Sequence, residues 1–387
     1  MHVLHVIASL SPSNGGPPEV VRQLAYLYSY IGDTMEVLTE DFADAPFLKD
    51  FPSPVHAVGQ RIGRFAFSPR LWNWLHKNAA RFDGMVMHGV WTFPGLAVRA
   101  AARKAGKPYA VFAHGALDPW FNREYPLKHL KKRIYWSVQY RVLRDAAAVM
   151  FTTAIEANLA KASFTPNEWN AALVPCGILE PEGEPAAEVE AFYELLPALR
   201  SRRYLLFLAR LHAKKGCDLL IDAFARIAPL APDLDLVMAG PDQTGWQASL
   251  QRMAEDRGVA HRVHWPGMLS GDGKWGALRA ADAFVLPSHT ENFGVAVVES
   301  LAAGRPVLIS NKVNIWQEIQ ADNAGLVEDD TLEGTERLLR RWIGLSPDER
   351  DAMITRTYPC FLSRYSLKGG ALAINEIFSA SGAARKS

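Results

Sequence analysis

The sequence predicts an α/β protein made of two doubly wound, Rossmann-like domains. Short apolar runs alternate with helical segments along nearly the whole chain, which is typical of parallel sheets whose strands are connected by helices. An acidic, proline-rich stretch at 180–190 lacks apolar periodicity and separates two such series. The chain has 387 residues, which is too many for one ordinary hydrophobic core.

These features predict the domain bounds. We expect the first domain to comprise residues 1–179 and the second to comprise residues 180–360. The segment beyond Pro347 is largely helical by its pattern, and a C-terminal helix at 361–387 is long enough to cross back to the first domain. In a protein of this kind, we expect the two domains to face each other across a cleft.

Composition excludes several classes of function. Hydrophobic residues make up 49% of the chain and charged residues 21%, and the formal net charge of +1 gives no general attraction to nucleic acid. The chain has no run of about 18 apolar residues, as a membrane span needs, and its first residues do not resemble a signal peptide. The three cysteines have no metal-type spacing and are expected to be reduced. We therefore expect a cytoplasmic protein.

The first strand, predicted at 3–8, leads into a glycine- and proline-rich loop and then into a helix at 19–30. A glycine loop between a strand and a helix can direct backbone N–H groups towards an anion or a sugar. The loop contains Gly15 and Gly16, but it has neither the glycine order of a dinucleotide-binding motif nor the Lys-Ser/Thr of a P-loop. A plain flexible connection is the alternative interpretation.

Two further strands each end in a His-Gly pair, at His88 and at His114. Ligands of open α/β sheets bind beyond the carboxyl ends of the strands, so both histidines are candidate site residues. A single histidine is more often a hydrogen-bonded structural residue. Because the pair occurs twice, the sequence favours a site role for His114, and less so for His88.

The segment at 128–144 predicts a basic helix. Leu130, Ile134 and Val138 lie four residues apart and form an apolar stripe, and lysines and arginines concentrate positive charge on the same helix. Such a helix is a candidate for contact with an anionic membrane surface. The alternative, which base rates favour, is a surface helix that packs on the sheet and has a solvated basic face.

In the second series, Arg210 closes a strand and Lys215 follows five residues later, beside Gly216 and a predicted helix at 217–227. Two cations at the carboxyl end of a strand, next to a helix N-terminus, suit a diphosphate. A pair of ordinary exposed loop charges is the alternative.

The stretch at 283–310 predicts a strand, a loop, a helix and another strand. Glu291 lies in the loop and Glu299 lies within the helix, so an anion at the helix N-terminus would lie between the two acids. Carboxylates accept paired hydroxyls well, so one acid can hold a sugar and the other a ribose. Together these groups describe a site for a nucleotide-sugar. The alternative is a capping acid at Glu291 and a surface acid at Glu299.

The stretch PSHTENFGVAVVESLAAGRPV at 287–307 resembles the signature of the retaining glycosyltransferases of family 4, which have the GT-B fold. RLHAKKGCDLLIDAF at 210–224 is similar to the phosphate-binding segment of that family. Shorter motifs at 174–178, 239–242 and 265–267, and the Gly15-Gly16 pair, also resemble the family and occur in the expected order. Cys176 departs from the small polar residue that is more usual at its position.

The resemblance implies roles for individual residues. Glu299 would bind the donor ribose, and Glu291 would bind hydroxyls of the donor sugar. Arg210 and Lys215 would neutralise the diphosphate leaving group, and His114 would contact the donor sugar near the reaction centre. The other donor-binding residues that it implies are Gly16, Gly240, Met268, Leu269, Asn292, Phe293, Gly294 and Val295.

The resemblance also implies a retaining enzyme that needs no cofactor and no metal. Front-face attack, with the departing phosphate as base for the acceptor hydroxyl, is the mechanism usually described for the family. The one D-x-D sequence, Asp233-Leu-Asp235, stands at the predicted start of a strand and away from the carboxyl-end edge. Two basic residues can replace a divalent ion electrostatically. Nothing in the sequence obviously supplies the carboxylate nucleophile of a retaining glycosidase.

We expect the donor to be a UDP- or GDP-sugar and the acceptor a sugar or lipid-linked glycan of exopolysaccharide- or lipopolysaccharide-type synthesis, met at the cytoplasmic membrane face. A nucleotide-sugar epimerase or hydrolase, and a non-catalytic nucleotide-sugar binding protein, are the alternatives. An epimerase would need further acid/base carboxylates that face the anomeric carbon from the first domain, and Asp118 and Glu124 are the only candidates there. The candidate acceptor contacts are Trp91, Asp118, Trp120 and Arg123, and packing is an equally favoured role for both tryptophans.

Overall fold

The structure, a computed structural model, describes residues 1–59, 61–63, 65–120, 122, 126–174, 177–243, 245–366 and 370–383. The chain divides into two compact units, one formed by Met1–Gly177 with Leu367–Ser387 and the other by Ile178–Ser366. Cys217 and Cys360 are free and buried, and Cys176 lies outside the described residues.

The first unit is built on a parallel sheet. Its strands are β1 (His2–Ile7), β2 (Thr34–Thr39), β3 (Val55–Ala57), β4 (Gly84–His88), β5 (Tyr109–Phe112), β6 (Ala148–Phe151) and β7 (Ala171–Leu173). They lie in the order β3-β2-β1-β4-β5-β6-β7. Every residue of β4 is buried, as expected for an apolar strand whose sheet is covered on both faces. The order reverses between β1 and β4, so the carboxyl ends of these strands form the switch point.

The helices that connect these strands are α1 (Gly16–Tyr30), α2 (Pro69–Asn78), α3 (Phe93–Ala105), α4 (Pro126–Arg144) and α5 (Ala154–Lys161). Local chemistry sets several of their ends. The hydroxyls of Ser68 and Thr153 accept backbone N–H groups and cap α2 and α5. Gly106, in the left-handed region, ends α3.

The second unit repeats this architecture. Its strands are β8 (Arg203–Leu208), β9 (Leu234–Ala239), β10 (Val263–Gly267), β11 (Ala283–Leu286), β12 (Val307–Ser310) and β13 (Gly325–Glu328). They are parallel and lie in the order β10-β9-β8-β11-β12-β13, so the switch point falls between β8 and β11. The helices are α6 (Pro185–Leu195), α7 (Cys217–Ile227), α8 (Gln247–Asp256), α9 (Gly271–Ala280), α10 (Val295–Ala302), α11 (Trp316–Ala321), α12 (Leu332–Gly344) and α13 (Pro347–Arg364). The predicted α/β fold is confirmed in both units.

The acidic stretch at 180–190 is not the plain linker that the sequence predicts, because its second half is the start of α6. Glu184 caps this helix, and Glu188 is buried in an ion pair with Arg279 of α9. The two helices approach closely: a Cβ atom on Gly276 would lie 1.9 Å from the carbonyl oxygen of Glu188. The sequence gives no sign that Glu188 is buried, because its partner Arg279 is distant in the chain.

The predicted C-terminal helix begins beyond α13, as α14 (Gly370–Ala383), and belongs to the first unit. Phe378 is buried against Gly84 at the start of β4, where a Cβ atom would lie 2.5 Å from its ring. Asn375 donates a hydrogen bond to Asp33. Helix α14 therefore completes the packing of the first sheet.

Helix α4 turns its apolar stripe to solvent. Leu127, Leu130 and Ile134 are 79%, 56% and 76% exposed. The opposite side of the helix packs inward and carries the buried Trp136, Gln139, Val142 and Leu143. The helix therefore packs against the first unit, as the alternative to a membrane-binding helix predicts. The residues that make this packing are not those of the apolar stripe. Among the described residues, no helix combines the length and the apolar character that a membrane span requires.

Candidate active site

The two loops that flank the switch point of the second sheet are held against each other. After β8 the chain turns through Lys214 and Gly216, and after β11 it turns through Pro287 and His289. The amide of His289 donates to the carbonyl of Lys214 at 2.9 Å. Gly216 has a positive φ of 67°, and a Cβ atom there would lie 2.3 Å from the carbonyl oxygen of Pro287. Only glycine permits this close approach.

Lys215 and Glu291 meet across these loops. The Lys215 ammonium donates to a carboxylate oxygen of Glu291, and the lysine is almost fully buried. Burial, together with the charges of Lys214 and Arg210, lowers the pKa of Lys215. The carboxylate of Glu291 favours the charged form of the lysine and so opposes that shift. The structure therefore joins two predicted site residues that the sequence analysis assigns to different parts of the ligand.

Arg210 lies beside this pair, at the end of the β8 connection, and its guanidinium is 3.4 Å from the side-chain oxygen of Gln243. Gly240, directly after β9, is needed for its backbone conformation and for its lack of a side chain. A Cβ atom on it would lie 1.8 Å from the carbonyl oxygen of Ala209, and its φ is 144°. Gly240 thus allows the ends of β8 and β9 to approach each other beneath Arg210.

Helix α10 opens towards the same edge. Gly294, with φ 72° and ψ 63°, forms its N-cap without a side-chain cap. The amides of Val295 and Ala296 come before the first internal acceptor and lie at the positive end of the helix dipole, whereas the amide of Val297 donates to the carbonyl of Gly294 at 2.8 Å. Phe293 is buried and its ring meets the ring of Tyr365 edge-on at 5.9 Å. Asn292 has a buried side-chain oxygen with no hydrogen-bond partner among the described residues.

Glu299 is buried within α10 and binds Lys274, whose ammonium lies 2.6 Å from a carboxylate oxygen. It is therefore not the surface acid that the alternative interpretation describes. Lys274 is not among the site residues predicted from the sequence. The signal available was the Gly-Asp-Gly-Lys run that opens α9 after Ser270, close to Met268 and Leu269, but a lysine in a first turn is an ordinary surface feature.

Of the two residues predicted to border the base, Met268 is half exposed and Leu269 is buried. Both follow Gly267, which ends β10 with a positive φ of 74°. Met268 is therefore the one with a side chain that a ligand can reach.

The two acids of the D-x-D sequence lie at the amino end of β9, away from the carboxyl edge. Asp235 is buried and contacts Arg202, Arg262 and His264. Asp233 pairs with Arg203. Both carboxylates are thus engaged by cationic side chains or histidine within the second unit.

In the first unit, the glycine-rich loop after β1 ends at Gly15, which has φ 82°, and α1 begins at Gly16. Pro17 and Pro18 follow and carry no N–H groups. The helix N-terminus therefore offers an anion the amide of Gly16, and then none until Glu19.

His114 follows β5 and has a positive φ of 50°, which is strained for a residue other than glycine. The next amide, of Gly115, donates to the buried Glu156 at 2.8 Å. The second carboxylate oxygen of Glu156 accepts from the backbone and hydroxyl of Thr152. Glu156, which the sequence analysis did not single out, thus ties the ends of β5 and β6 together and holds His114 in place.

The predicted acceptor contacts differ in what the structure shows. Trp91 is packed: its ring contacts Trp136 and Phe164, its indole N–H donates to a backbone carbonyl, and Lys132 lies 4.8 Å from its ring centre. Asp118 accepts from the amide of Trp120 at 2.7 Å. Trp120 is half-buried. Arg123 lies outside the described residues.

Two doubly wound units with this strand order, one of them presenting cations, carboxylates and an open helix N-terminus at its switch point, define the GT-B class of protein. Comparison with protein-family models supports this class. The model described as "Glycosyl transferase 4-like domain" matches residues 15–177, and the model described as "Glycosyl transferases group 1" matches residues 196–358. The chain belongs to the GT4-type glycosyltransferases and is a transferase enzyme.

Similar proteins extend over much of the chain. Mannosylfructose-phosphate synthase of Agrobacterium fabrum is 22% identical over 349 residues, which cover 81% of this chain and 75% of that protein. Among solved structures, HepE of Anabaena in complex with UDP and glucose has a TM-score of 0.77 at 17% identity and covers 100% of both chains. WaaG, a glycosyltransferase involved in lipopolysaccharide biosynthesis, has a TM-score of 0.72 at 19% identity and covers 94% of this chain and 97% of that one. The two structures support the GT-B fold.

Proposed function

We propose that this glycosyltransferase moves a sugar from a UDP- or GDP-sugar to a sugar or lipid-linked glycan, with retention of the anomeric configuration. The observation that carries the proposal is the ion pair between Lys215 and Glu291 at the switch point of the second sheet. Beside it lie the open N-terminus of α10 and the Lys274–Glu299 pair. Cations and carboxylates alternate along this edge, which suits a ligand in which hydroxyls flank a diphosphate.

In the proposed step, the bond between the anomeric carbon and the phosphate oxygen breaks as the acceptor oxygen bonds to the same face of that carbon. The acceptor proton passes to the departing phosphate, and the nucleoside diphosphate leaves. Arg210 and Lys215 stabilise the charge that develops on the diphosphate. In this proposal Glu291 and Glu299, which each pair with a lysine in the structure, accept hydroxyls of the donor and form no covalent intermediate.

We propose that the step needs no divalent metal ion, because the two basic residues supply the positive charge and both acids of the D-x-D sequence are engaged elsewhere. Activity that is unchanged in excess chelator is the expected result. Loss of activity that magnesium or manganese restores would contradict this part of the proposal.

The similar proteins support the choice of substrates. HepE is described with UDP and glucose, and WaaG takes part in lipopolysaccharide biosynthesis. We propose a lipid-linked acceptor for this chain because α4 exposes an apolar stripe next to lysines and arginines. Ile134 lies on that stripe, and Lys131 and Arg133 are exposed close to it. Such a helix can bury apolar side chains at the cytoplasmic face of an anionic membrane, where the protein would be peripheral.

The test combines binding and transfer. A thermal-shift screen with UDP-, GDP- and ADP-sugars should show one preferred donor, since a ligand at a hundred times its dissociation constant adds ~2.7 kcal/mol to the free energy of unfolding. Radiolabelled donor with membrane extract should then give an acceptor-linked product with the donor's anomeric configuration. An epimerised or hydrolysed free sugar, formed without extract, would instead identify an epimerase or hydrolase. Binding without any product would identify a nucleotide-sugar binding protein.

A further inference from the structure

Three histidines of the first unit form a continuous chain of hydrogen bonds. His5 lies in β1, His88 ends β4, and His114 follows β5, so the chain crosses three neighbouring strands at the switch point of the first sheet. Nδ1 of His5 lies 2.9 Å from Nε2 of His88, and Nδ1 of His88 lies 2.8 Å from Nε2 of His114. His5 and His88 are buried, and His114 is partly exposed.

All three rings are neutral near pH 7. Burial lowers the pKa of His5 and of His114 to about 3, and burial also brings the pKa of His88 well below its ordinary value. A neutral imidazole has one N–H donor and one acceptor nitrogen. His88 uses both nitrogens, so one of its bonds is donated and the other is accepted. The two hydrogen bonds must therefore run in the same direction along the chain.

The far end of the chain selects the direction. Nε2 of His5 is buried and has no hydrogen-bond partner among the described residues. If the bonds ran from His114 towards His5, this nitrogen would carry a buried N–H with no acceptor. In the opposite direction it holds only a lone pair. A buried N–H without an acceptor is rarer than a buried lone pair without a donor, and it costs about 1–3 kcal/mol. The hydrogen bonds therefore run from His5 through His88 to His114.

We propose that His5 and His88 are positioning residues that fix His114 in the tautomer with its proton on Nδ1, so that His114 presents an N–H donor to a substrate oxygen at the carboxyl edge of the first sheet. Nε2 of His114 then accepts from His88 and is closed to base catalysis. The chain does not conduct protons away, because it ends at the unpartnered nitrogen of His5. The ligand part of this inference rests on the proposed function, whereas the tautomer does not.

The tautomer can be measured without substrate. In the whole protein labelled with ¹⁵N-histidine, two-bond ¹H–¹⁵N correlation spectra assigned through single His→Asn variants should show a protonated Nδ1 and an unprotonated Nε2 for His114 at pH 7. A protonated Nε2, or an imidazolium, at His114 would overturn the proposal. This NMR measurement needs neither the nucleotide-sugar nor turnover, so it can fail independently of the proposed function.

Variants of His5 and His88 test the coupling. His5→Asn keeps an N–H donor at the position of Nδ1, so His114 should keep its tautomer and the transfer rate should stay within about twofold. His88→Phe removes the group that donates to Nε2 of His114. The spectrum of His114 should then no longer show the Nδ1–H tautomer alone, and kcat should fall about tenfold, the size expected for one misdirected hydrogen bond. An unchanged His114 spectrum in folded His88→Phe would refute the positioning role. If that variant does not fold, the wild-type spectrum alone decides.

Discussion

Lys215 and Glu291 are far apart in the sequence, come from loops after β8 and β11, and form a direct, nearly buried ion pair. Each compensates the charge of the other while no ligand is present. A donor diphosphate placed at the N-terminus of α10 would compete with Glu291 for the lysine, and the released carboxylate could then accept sugar hydroxyls. We expect donor binding to exchange the partners of this pair.

Replacing Lys215 should impair turnover far more than folding. Lys215→Ala removes a cation from the proposed leaving group, and removing one such stabilising group typically costs about a hundredfold or more in kcat. The measurement is the steady-state rate of transfer from labelled donor, together with the thermal unfolding midpoint.

Lys214→Ala is the matched control, since it removes the same charge from the same loop and should retain most of the activity.

Glu291→Gln combined with Lys215→Ala separates the two roles of the lysine. The double variant should recover stability, because no carboxylate is left unpaired, and it should remain slow. Wild-type turnover in Lys215→Ala would refute the leaving-group role.

The pair of Lys274 and Glu299 should control donor affinity more than the chemical step. Lys274→Met keeps the apolar stem beside Trp275 and removes the charge that holds Glu299 in place. We expect the KM for the donor to rise about tenfold, which corresponds to ~1.4 kcal/mol, with kcat changed much less. Arg252→Ala, at an exposed position on α8, is the control. A fall in kcat at unchanged KM would show that the pair acts in the transition state instead.

The fold was largely predictable because each strand of a parallel sheet shows as its own apolar run. The bounds of α7 are as predicted, and Gly304 and Pro306 mark the region where α10 ends. Partners were not predictable. Glu188 meets Arg279, and Glu299 meets Lys274, through long-range packing that a local pattern does not encode.

Periodicity also fails to say which side of a helix faces the core. The spacing of Leu130, Ile134 and Val138 is regular, yet the buried side of α4 is the one with Trp136 and Gln139. An aromatic ring and an amide form a weaker pattern than three aliphatic residues. The contribution of Gln139, which accepts from the amide of Trp91 at 2.9 Å, becomes visible only once the strands have brought these segments together.

The exposed stripe of α4 should bind anionic membranes. Ile134→Asp removes an apolar side chain and adds a negative charge, so binding to vesicles that contain anionic lipid should weaken at least tenfold. Vesicle co-sedimentation measures this. Leu230→Asp, at an apolar residue of the second unit that is 59% exposed, is the matched control and should bind like the wild type. Equal pelleting of the wild type with neutral and anionic vesicles would contradict the membrane role.

Glu40 should make the first unit less stable as the pH rises from 4.5 to 7. It is buried just after β2, and no hydrogen-bond partner for either carboxylate oxygen lies among the described residues. Burial raises the pKa of Glu40 to about 7, with nearby Arg61 opposing the shift and Asp41 adding to it. Between pH 4.5 and 7 the folded chain keeps this proton and the unfolded chain does not, so stability falls with pH.

The loss should be of the order of 2–3 kcal/mol and should level off above pH 7. Chemical denaturation of the wild type and of Glu40→Gln at each pH measures it, because the difference between the two curves isolates this carboxyl. Glu182→Gln, at an exposed acid of the second unit, serves as the control substitution. A difference that does not change across this range would show that Glu40 is ionised in the folded protein.

Helix α14 gives the synthesis of this protein an unusual order of events. The chain emerges from the ribosome N-terminus first, and domains generally fold as they emerge. The helix that packs Phe378 against Gly84 follows the whole second unit in the chain, so the first unit is translated early and its core is completed late. Until then the start of β4 lacks its cover. Nascent chains stalled between residues 200 and 360 should therefore hold the first unit in a protease-sensitive, chaperone-binding state.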